Sequence, residues 1–212
     1  MTALIPPHHA LSYSAEIKRK LIHLSSLWMP AVIYFLPYHI AVIIFAILLV
    51  NQLVFEMVRR RQHGLARLVN RIFTPVLRPH ETGSVIRFTG ATYGVLAAFI
   101  CALLFPVPVA VTALGIMLVA DAAASLIGRH YGKTPLMGKT VEGCSAFLVS
   151  ALAVIFLIGQ LAGYPPAYYA GSVVAAMVAT ATELFSGVFG IDDNLSIPLA
   201  AGGAMWCVMA LL

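Results

Sequence analysis

The sequence predicts an all-α protein, a polytopic transmembrane helix bundle with about seven spans. Hydrophobic residues make up 61% of the 212 residues and charged residues only 10%, a composition that excludes a soluble globular domain and a disordered chain. Because one span needs about 20 apolar residues, the chain holds six or seven spans and no separate soluble catalytic domain. We therefore expect a single integral membrane domain over residues 1–212.

Apolar segments separated by short polar or proline-containing connections define the expected spans. The last segment is short and contains two consecutive glycines, so hydropathy alone defines it less sharply than the others. The predicted spans are residues 21–37, 39–58, 90–105, 108–128, 144–162, 167–186 and 196–212.

Basic residues set the predicted orientation of the bundle. With seven spans, all thirteen lysines and arginines fall on one side, which the positive-inside rule assigns to the cytoplasm. The connections on the other side, near 37–38, 106–108 and 163–166, contain no charged residue. We expect a cytoplasmic N-terminus, a location in a bacterial inner membrane and any active site on the cytoplasmic face.

The net charge of +5 is concentrated in segments beside the helices. An N-terminal basic segment, residues 1–20, precedes the first span. Residues 59–80 combine an apolar helical face with arginines on the other side, which predicts an interfacial helix on the inner leaflet. Such charges indicate anionic lipid headgroups and phosphates as partners rather than nucleic acid.

Six of the eight carboxylates lie in three short clusters, and the first lies between Asp121 and Gly143. Asp121 and Ser125 share a helical face at the end of the fourth predicted span. The basic loop 128–143 is rich in glycine, so its backbone N–H groups can turn toward a phosphate. A carboxylate for Mg²⁺ together with cations is typical of phosphoryl transfer, although no Walker A motif is present. The alternative is an ordinary positive-inside loop. The further candidates are Glu142 as a catalytic carboxylate and Arg129, Lys133, Lys139 and Thr140 as phosphate-binding residues.

The second cluster joins Glu183, near the inner end of the sixth predicted span, to three consecutive oxygen-bearing side chains. Asp192, Asp193 and Asn194 suit a hard cation or a polar headgroup. The alternative is that they form only a turn and a helix N-cap, since all three residues favour those positions.

The third cluster is the segment EIKRKLIH at 16–23. Glu16, Lys20 and His23 share one helical face, and Glu16 with Lys20 is the favoured order for an ion pair, a pattern usually found on solvated surfaces. We take Lys20 as a candidate phosphate-binding residue and Glu16 and His23 as further candidate site residues. The remaining histidines and the three cysteines lack the spacing of a zinc site or a redox motif.

Together these segments resemble the polyprenol kinase family of CTP-dependent lipid kinases, which includes dolichol kinase, phytol kinase and a CTP-using diacylglycerol kinase. The family is distantly related to phosphatidate cytidylyltransferases. The similar segments are 16–23, 121–133, 139–143 and 183–199, in the family's order. The family commonly has Gly-Asp where this chain has Ala120-Asp121, a departure that leaves the carboxylate in place.

The resemblance implies transfer of the γ-phosphoryl group of CTP to the hydroxyl of a membrane lipid alcohol, such as a polyprenol, a phytol-like alcohol or diacylglycerol. It implies Mg²⁺ on the nucleotide phosphates, which we assign to Asp121 with either Glu183 or Asp192. Basic side chains of the loop 128–143 would neutralise the developing charge. Asp193 is then the candidate base for the lipid hydroxyl.

Two other functions remain open at this stage. A phosphatidate cytidylyltransferase would use the same cation and basic loop, although its signature segment is absent from this chain. A small ion-coupled secondary transporter would also contain intramembrane carboxylates. Transporters usually hold these near the bilayer midplane and are often built from internal repeats, and the sequence has no detectable repeat.

Overall fold

The computed structural model describes residues 13–60, Gly64 and 88–212, and these residues form a helical bundle. This confirms the all-α class predicted from composition. The helices are α1 Tyr13–Ser25, α2 Trp28–Phe35, α3 Tyr38–Arg60, α4 Gly90–Leu104, α5 Val107–Tyr131, α6 Val141–Ala162, α7 Pro166–Phe189 and α8 Asp193–Leu211.

Five of these helices are long and apolar enough to cross a membrane, namely α3, α5, α6, α7 and α8. The last of them confirms the short predicted span that contains two glycines. Helix α4 is apolar but has only 15 residues. The chain is therefore an integral membrane protein. On α3, Ile43, Ile47 and Val50 are more than half exposed, as expected for a face in contact with lipid.

The first predicted span, residues 21–37, is not one continuous helix. It is divided between α1 and α2, with a break at Ser26 and Leu27. The break lies four residues before Pro30, which has no N–H to donate to the carbonyl of Ser26. The bonds here run between residues three apart instead, from Ser26 N to His23 O and from Leu27 N to Leu24 O, both at 3.0 Å. A hydropathy profile reflects side-chain polarity only, so it does not detect that the backbone of Pro30 lacks a hydrogen-bond donor.

Helix α5 lies at the centre of the bundle. Its side chains are almost completely buried from Val109 to Leu118, and it contacts α1, α2, α6 and α8. A glycine lets α6 approach closely, because a Cβ atom at Gly115 would lie 3.1 Å from Cγ1 of Val154. The helix that carries Asp121 is thus held on several sides.

A short β-hairpin connects α5 to α6. Strands β1, Pro135–Leu136, and β2, Lys139–Thr140, pair antiparallel around a two-residue turn. Both turn residues have positive φ, 49° at Met137 and 84° at Gly138, the backbone pattern that tight hairpins require. The predicted loop 128–143 is therefore shorter than expected, since its first residues complete α5 and its last residues begin α6.

Two predicted segments lie largely outside the described residues. Of the expected interfacial helix at 59–80, the structure describes the end of α3 and Gly64. Of the N-terminal basic segment, it describes residues 13–20, which form the first part of α1.

Candidate functional site

A cavity of about 380 Å³ lies where the ends of α5 and α7 meet the hairpin and the starts of α6 and α8. It brings together carboxylates from three helices with an arginine and a lysine. Asp121, Ser125 and Gly128 all line it, which confirms that they share one helical face. The lining residues are Asp121, Ala124, Ser125, Gly128, Arg129, Gly138, Lys139, Thr140, Gly143, Cys144, Glu183 and Asp193.

Asp121 forms a buried ion pair with Lys20 of α1. The exposed fractions of the two side chains are 5% and 1%, and the Lys20 ammonium contacts Oδ2 of Asp121. Nε2 of His23 lies 3.4 Å from the same carboxylate oxygen and 3.4 Å from the carbonyl oxygen of Met117. Lys20 does not line the cavity, so it holds Asp121 from behind rather than facing a ligand directly.

Glu16 does not form the solvated pair with Lys20 that the spacing predicts. Its side chain is 1% exposed, and its carboxylate accepts hydrogen bonds from Arg19, with Nε at 3.2 Å. Nη2 of Arg129 lies 3.5 Å from Oε2 of Glu16, the same oxygen that accepts from Nε of Arg19. Burial acts to raise the pKa of Glu16, but the neighbouring Arg19 and then Arg129 outweigh it and hold this pKa below its ordinary value. The pair differs from the prediction because α1 packs this face against α5.

A second ion pair crosses the cavity wall between the hairpin and α7. The ammonium of Lys139 contacts both the carboxylate and the backbone carbonyl of Glu183. It also lies 3.3 Å from Oγ of Ser186. Lys139 thereby ties the hairpin to the last turns of α7, and its charge remains on the wall of the cavity.

The three oxygen-bearing residues at 192–194 separate into two groups. Asp193 lines the cavity together with Asp121 and Glu183. Asp192 is the N-cap of α8, where its Oδ1 accepts from the backbone N of Asn194 at 3.0 Å and from Nδ2 of Asn194 at 2.8 Å. The turn and N-cap interpretation therefore describes Asp192 and Asn194, and neither is among the residues that line the cavity.

The remaining candidates of the loop 128–143 have different positions. Thr140 lines the cavity and caps α6, since its Oγ1 accepts from Gly143 N at 3.1 Å. Glu142 is partly exposed and is not among the residues that line the cavity. Instead its carboxylate accepts from the backbone N and the hydroxyl of Thr134, both at 3.2 Å, and so fastens the hairpin. Lys133, just after the end of α5, is also exposed and outside the cavity lining.

The donors in the cavity fit a metal ion that is shared with a phosphorylated ligand. Within residues 13–60, 64 and 88–212, no cluster of three or more His, Cys, Asp or Glu side chains is arranged to hold a metal by itself. Magnesium, however, is commonly bound by one or two carboxylates while phosphates and water complete its coordination. Asp121 and Glu183 offer such carboxylates on one cavity, next to the basic groups that a phosphate needs.

Sequence reasoning missed several residues of this site. Arg19 shares Glu16 with Arg129, and its position three residues after Glu16 is the available signal. Ser186 follows Glu183 by the same interval. Cys144, which composition suggests is a core residue, lines the cavity. It follows Thr140 by one helical turn, a relation that becomes visible only once the start of α6 is known.

A separate buried charge cluster joins the end of α3 to the start of α4. Glu56, 1% exposed, accepts hydrogen bonds from the backbone N of Thr89 at 2.7 Å, the hydroxyl of Thr92 at 3.1 Å and Nη2 of Arg59 at 2.8 Å. Arg60 adds an ion pair at 3.7 Å. None of these residues lines the cavity, so the cluster connects two helices and supplies no group to the site.

Comparison with known proteins reveals full-length relatives. No family model matches the chain, and no solved structure matches it. The uncharacterized protein RP860 of Rickettsia prowazekii (strain Madrid E) is 30% identical over 189 residues, which cover 89% of this chain and 92% of that protein. The CTP-dependent diacylglycerol kinase 1 of Schizosaccharomyces pombe is 26% identical over 207 residues, covering 92% of this chain and 94% of that protein.

Proposed function

Because the chain belongs to the same family as RP860 of Rickettsia prowazekii and is distantly related to a CTP-dependent diacylglycerol kinase, we propose that it is a CTP-dependent lipid kinase. It transfers the γ-phosphoryl group of CTP to the hydroxyl of a membrane lipid alcohol. The relationship to the diacylglycerol kinase covers 92% of this chain and 94% of that protein.

The observation that carries the proposal is the composition of the cavity. Asp121, Glu183 and Asp193 face the same space as Arg129 and Lys139, although they come from three helices and a hairpin. Phosphoryl transfer requires little covalent chemistry from the protein and depends on positioning and on stabilising negative charge. A cavity with both carboxylates and cations meets these two needs.

The charged residues at the cavity have distinct proposed roles. Asp121 and Glu183 would hold Mg²⁺, and the bound ion would neutralise charge on the CTP phosphates. Arg129 and Lys139 stabilise the negative charge that builds up on the departing diphosphate. Lys20 orients Asp121 from the buried side through their ion pair.

The reaction itself balances without any further reactant. The oxygen of the lipid hydroxyl attacks the γ-phosphorus of CTP, while the bond from that phosphorus to the β,γ-bridging oxygen breaks and CDP leaves. The hydroxyl proton passes to a carboxylate, for which Asp193 is our candidate because it lines the cavity on a helix different from that of Asp121.

The acceptor is a lipid alcohol whose hydroxyl reaches the membrane interface, with diacylglycerol, a polyprenol and a phytol-like alcohol as the candidates. The cavity is formed by helix ends rather than by the middle of the bundle, a position that suits a water-soluble nucleotide on one side and a lipid on the other. CTP is made inside the cell, so we propose that this face is cytoplasmic and that the protein lies in the inner membrane of a bacterium, beside anionic inner-leaflet lipids.

The test is an assay of the purified protein with Mg²⁺, CTP labelled at the γ-phosphate, and a panel of lipid alcohols. Label in an organic-soluble product supports the proposal and identifies the acceptor. Asp121→Asn should abolish transfer, whereas Glu56→Gln, a buried carboxylate outside the cavity, should retain it. Pyrophosphate release with phosphatidate and α-labelled CTP, without γ-transfer, would instead identify a cytidylyltransferase and refute a kinase.

A further inference from the structure

We propose that Glu16 is a positioning residue, which holds the Arg129 guanidinium in the place where it meets the phosphates of the nucleotide. The inference deepens the proposed function, and the identity of the ligand rests on that function. Glu16 itself does not line the cavity, so it acts through Arg129 rather than by touching a substrate.

The geometry connects a buried carboxylate to a cavity-facing cation. Glu16 lies on α1 with a 1% exposed side chain, and its Oε2 is 3.5 Å from Nη2 of Arg129. The Arg129 side chain is 36% exposed and lines the cavity. Arg129 therefore both contacts the buried carboxylate of Glu16 and lines the space that a ligand would occupy.

The local charge favours an anionic ligand at this point. One carboxylate lies between two guanidiniums, those of Arg19 and Arg129, so the group of three carries a net positive charge. Arginine loses considerable rotamer freedom when it binds a phosphate. A carboxylate that restrains Arg129 beforehand lowers this entropic cost without cancelling the attraction.

The contact between α1 and α5 supports the same arrangement. The rings of Tyr13 and His130 lie with centroids 5.4 Å apart, one residue away from Arg129 along α5. Helix α1 thus has a second contact with the last turn of α5, beside the ion pair. Because Glu16 lies on α1 and Arg129 on α5, the packing of these two helices sets the position of one side chain relative to the other.

The chain offers a matched control in Glu56. Like Glu16, it is 1% exposed and pairs with an arginine three residues later. Unlike Glu16, it has described partners, Arg59, Arg60, Thr89 and Thr92, that do not line the cavity. A change that merely loosens a buried Glu–Arg pair should therefore give the same result at both positions, whereas a positioning role should be seen only at Glu16.

The experiment compares wild type, Glu16→Gln, Arg129→Ala, the double variant and Glu56→Gln. We measure KM and kcat for CTP in the lipid kinase assay and, separately, the Kd of CTP by equilibrium binding. Glu16→Gln should raise KM and Kd about tenfold, the effect of losing one charge-assisted contact, with a smaller change in kcat. Arg129→Ala should raise both constants at least as much, and the double variant should add nothing further. Glu56→Gln should leave both constants unchanged.

Several results would overturn the inference. An unchanged Kd in Glu16→Gln would do so, as would an equal further rise in the Arg129→Ala background or an equal rise in Glu56→Gln. If Glu16→Gln does not fold, Glu16→Asp is measured in its place. The aspartate keeps the negative charge, but its shorter side chain moves the carboxylate away from Arg129. An unchanged Kd of CTP in Glu16→Asp would refute the positioning role of Glu16. If the wild type binds CTP but phosphorylates no lipid, the proposed function is wrong. The positioning role of Glu16 is then tested by the Kd values of CTP alone.

Discussion

The buried pair between Lys20 and Asp121 predicts that stability and activity can be separated by two substitutions. Asp121→Asn removes the charge that compensates Lys20 but preserves the shape of the side chain. Adding Lys20→Met then removes the orphaned charge and keeps a side chain of similar length. We expect the single variant to be unstable and inactive, and the double variant to be more stable and still inactive.

The magnitude follows from the burial of the pair. The exposed fractions are 1% for Lys20 and 5% for Asp121, so the ammonium left in Asp121→Asn has little access to water. Breaking such a pair costs about 3 to 5 kcal/mol, and the lower end applies here because the asparagine oxygen still accepts a hydrogen bond. In a chain of this length, about 3 kcal/mol corresponds to a fall in Tm of roughly 6 to 12 °C.

The measurement is thermal unfolding of the purified variants in one detergent, alongside γ-phosphoryl transfer from CTP. Membrane insertion of each variant is checked first, so that instability is not confused with failed expression. A double variant no more stable than Asp121→Asn would refute the compensation argument. Full transfer activity in Asp121→Asn would remove this carboxylate from the mechanism.

Three further substitutions test the supports of the cavity. Thr140→Ala should lower the free energy of unfolding by about 1 kcal/mol, because α6 loses its N-cap. Thr140→Ser keeps the hydroxyl and should be close to wild type. An equal loss of stability in both variants would contradict the capping role of Thr140. Gly132→Ala should weaken CTP binding and lower Tm, because its Cβ would lie 2.2 Å from a carbonyl oxygen of α5, while Gly187→Ala, with open space around it, should not. For Glu16, whose folded pKa lies below its ordinary value of 4.5, the ion pairs stabilise the protein above that value and this stability is lost as the pH falls through the lowered pKa. Unfolding followed from about pH 7 to about pH 3 should therefore show a steeper acid loss in wild type than in Glu16→Gln, and parallel curves would contradict this.

Hydropathy was sufficient to locate the long helices but not their ends at the cavity. The predicted spans 108–128 and 144–162 correspond to α5 and α6, yet α5 continues to Tyr131 and α6 begins at Val141. Backbone hydrogen bonding continues through polar residues until a cap stops it, here Gly132 and Thr140. Hydropathy leaves the last polar turn of α5 and the first turn of α6 out of the predicted spans, and these two turns contain the cavity residues Arg129 and Gly143.

Residue chemistry identified the main groups of the site without showing how they pair. Charged side chains are rare in this chain, so Lys20, Asp121 and Glu183 could each be selected from the sequence. Their partners could not, because Lys20 and Asp121 are 101 residues apart and no local spacing relates them. The expected pair of Glu16 with Lys20 follows helical spacing correctly but omits α5, which offers Arg129 to Glu16 and Asp121 to Lys20.

The assembly of the cavity from distant parts of the chain also sets when it can exist during biosynthesis. Lys20 leaves the ribosome 101 residues before Asp121, and Asp193 emerges only after α7 has been made. Membrane helices insert individually and pack afterwards, so the wall supplied by α8 is the last to arrive. A nascent chain therefore lacks the complete cavity until translation has passed α7 and α8 has docked.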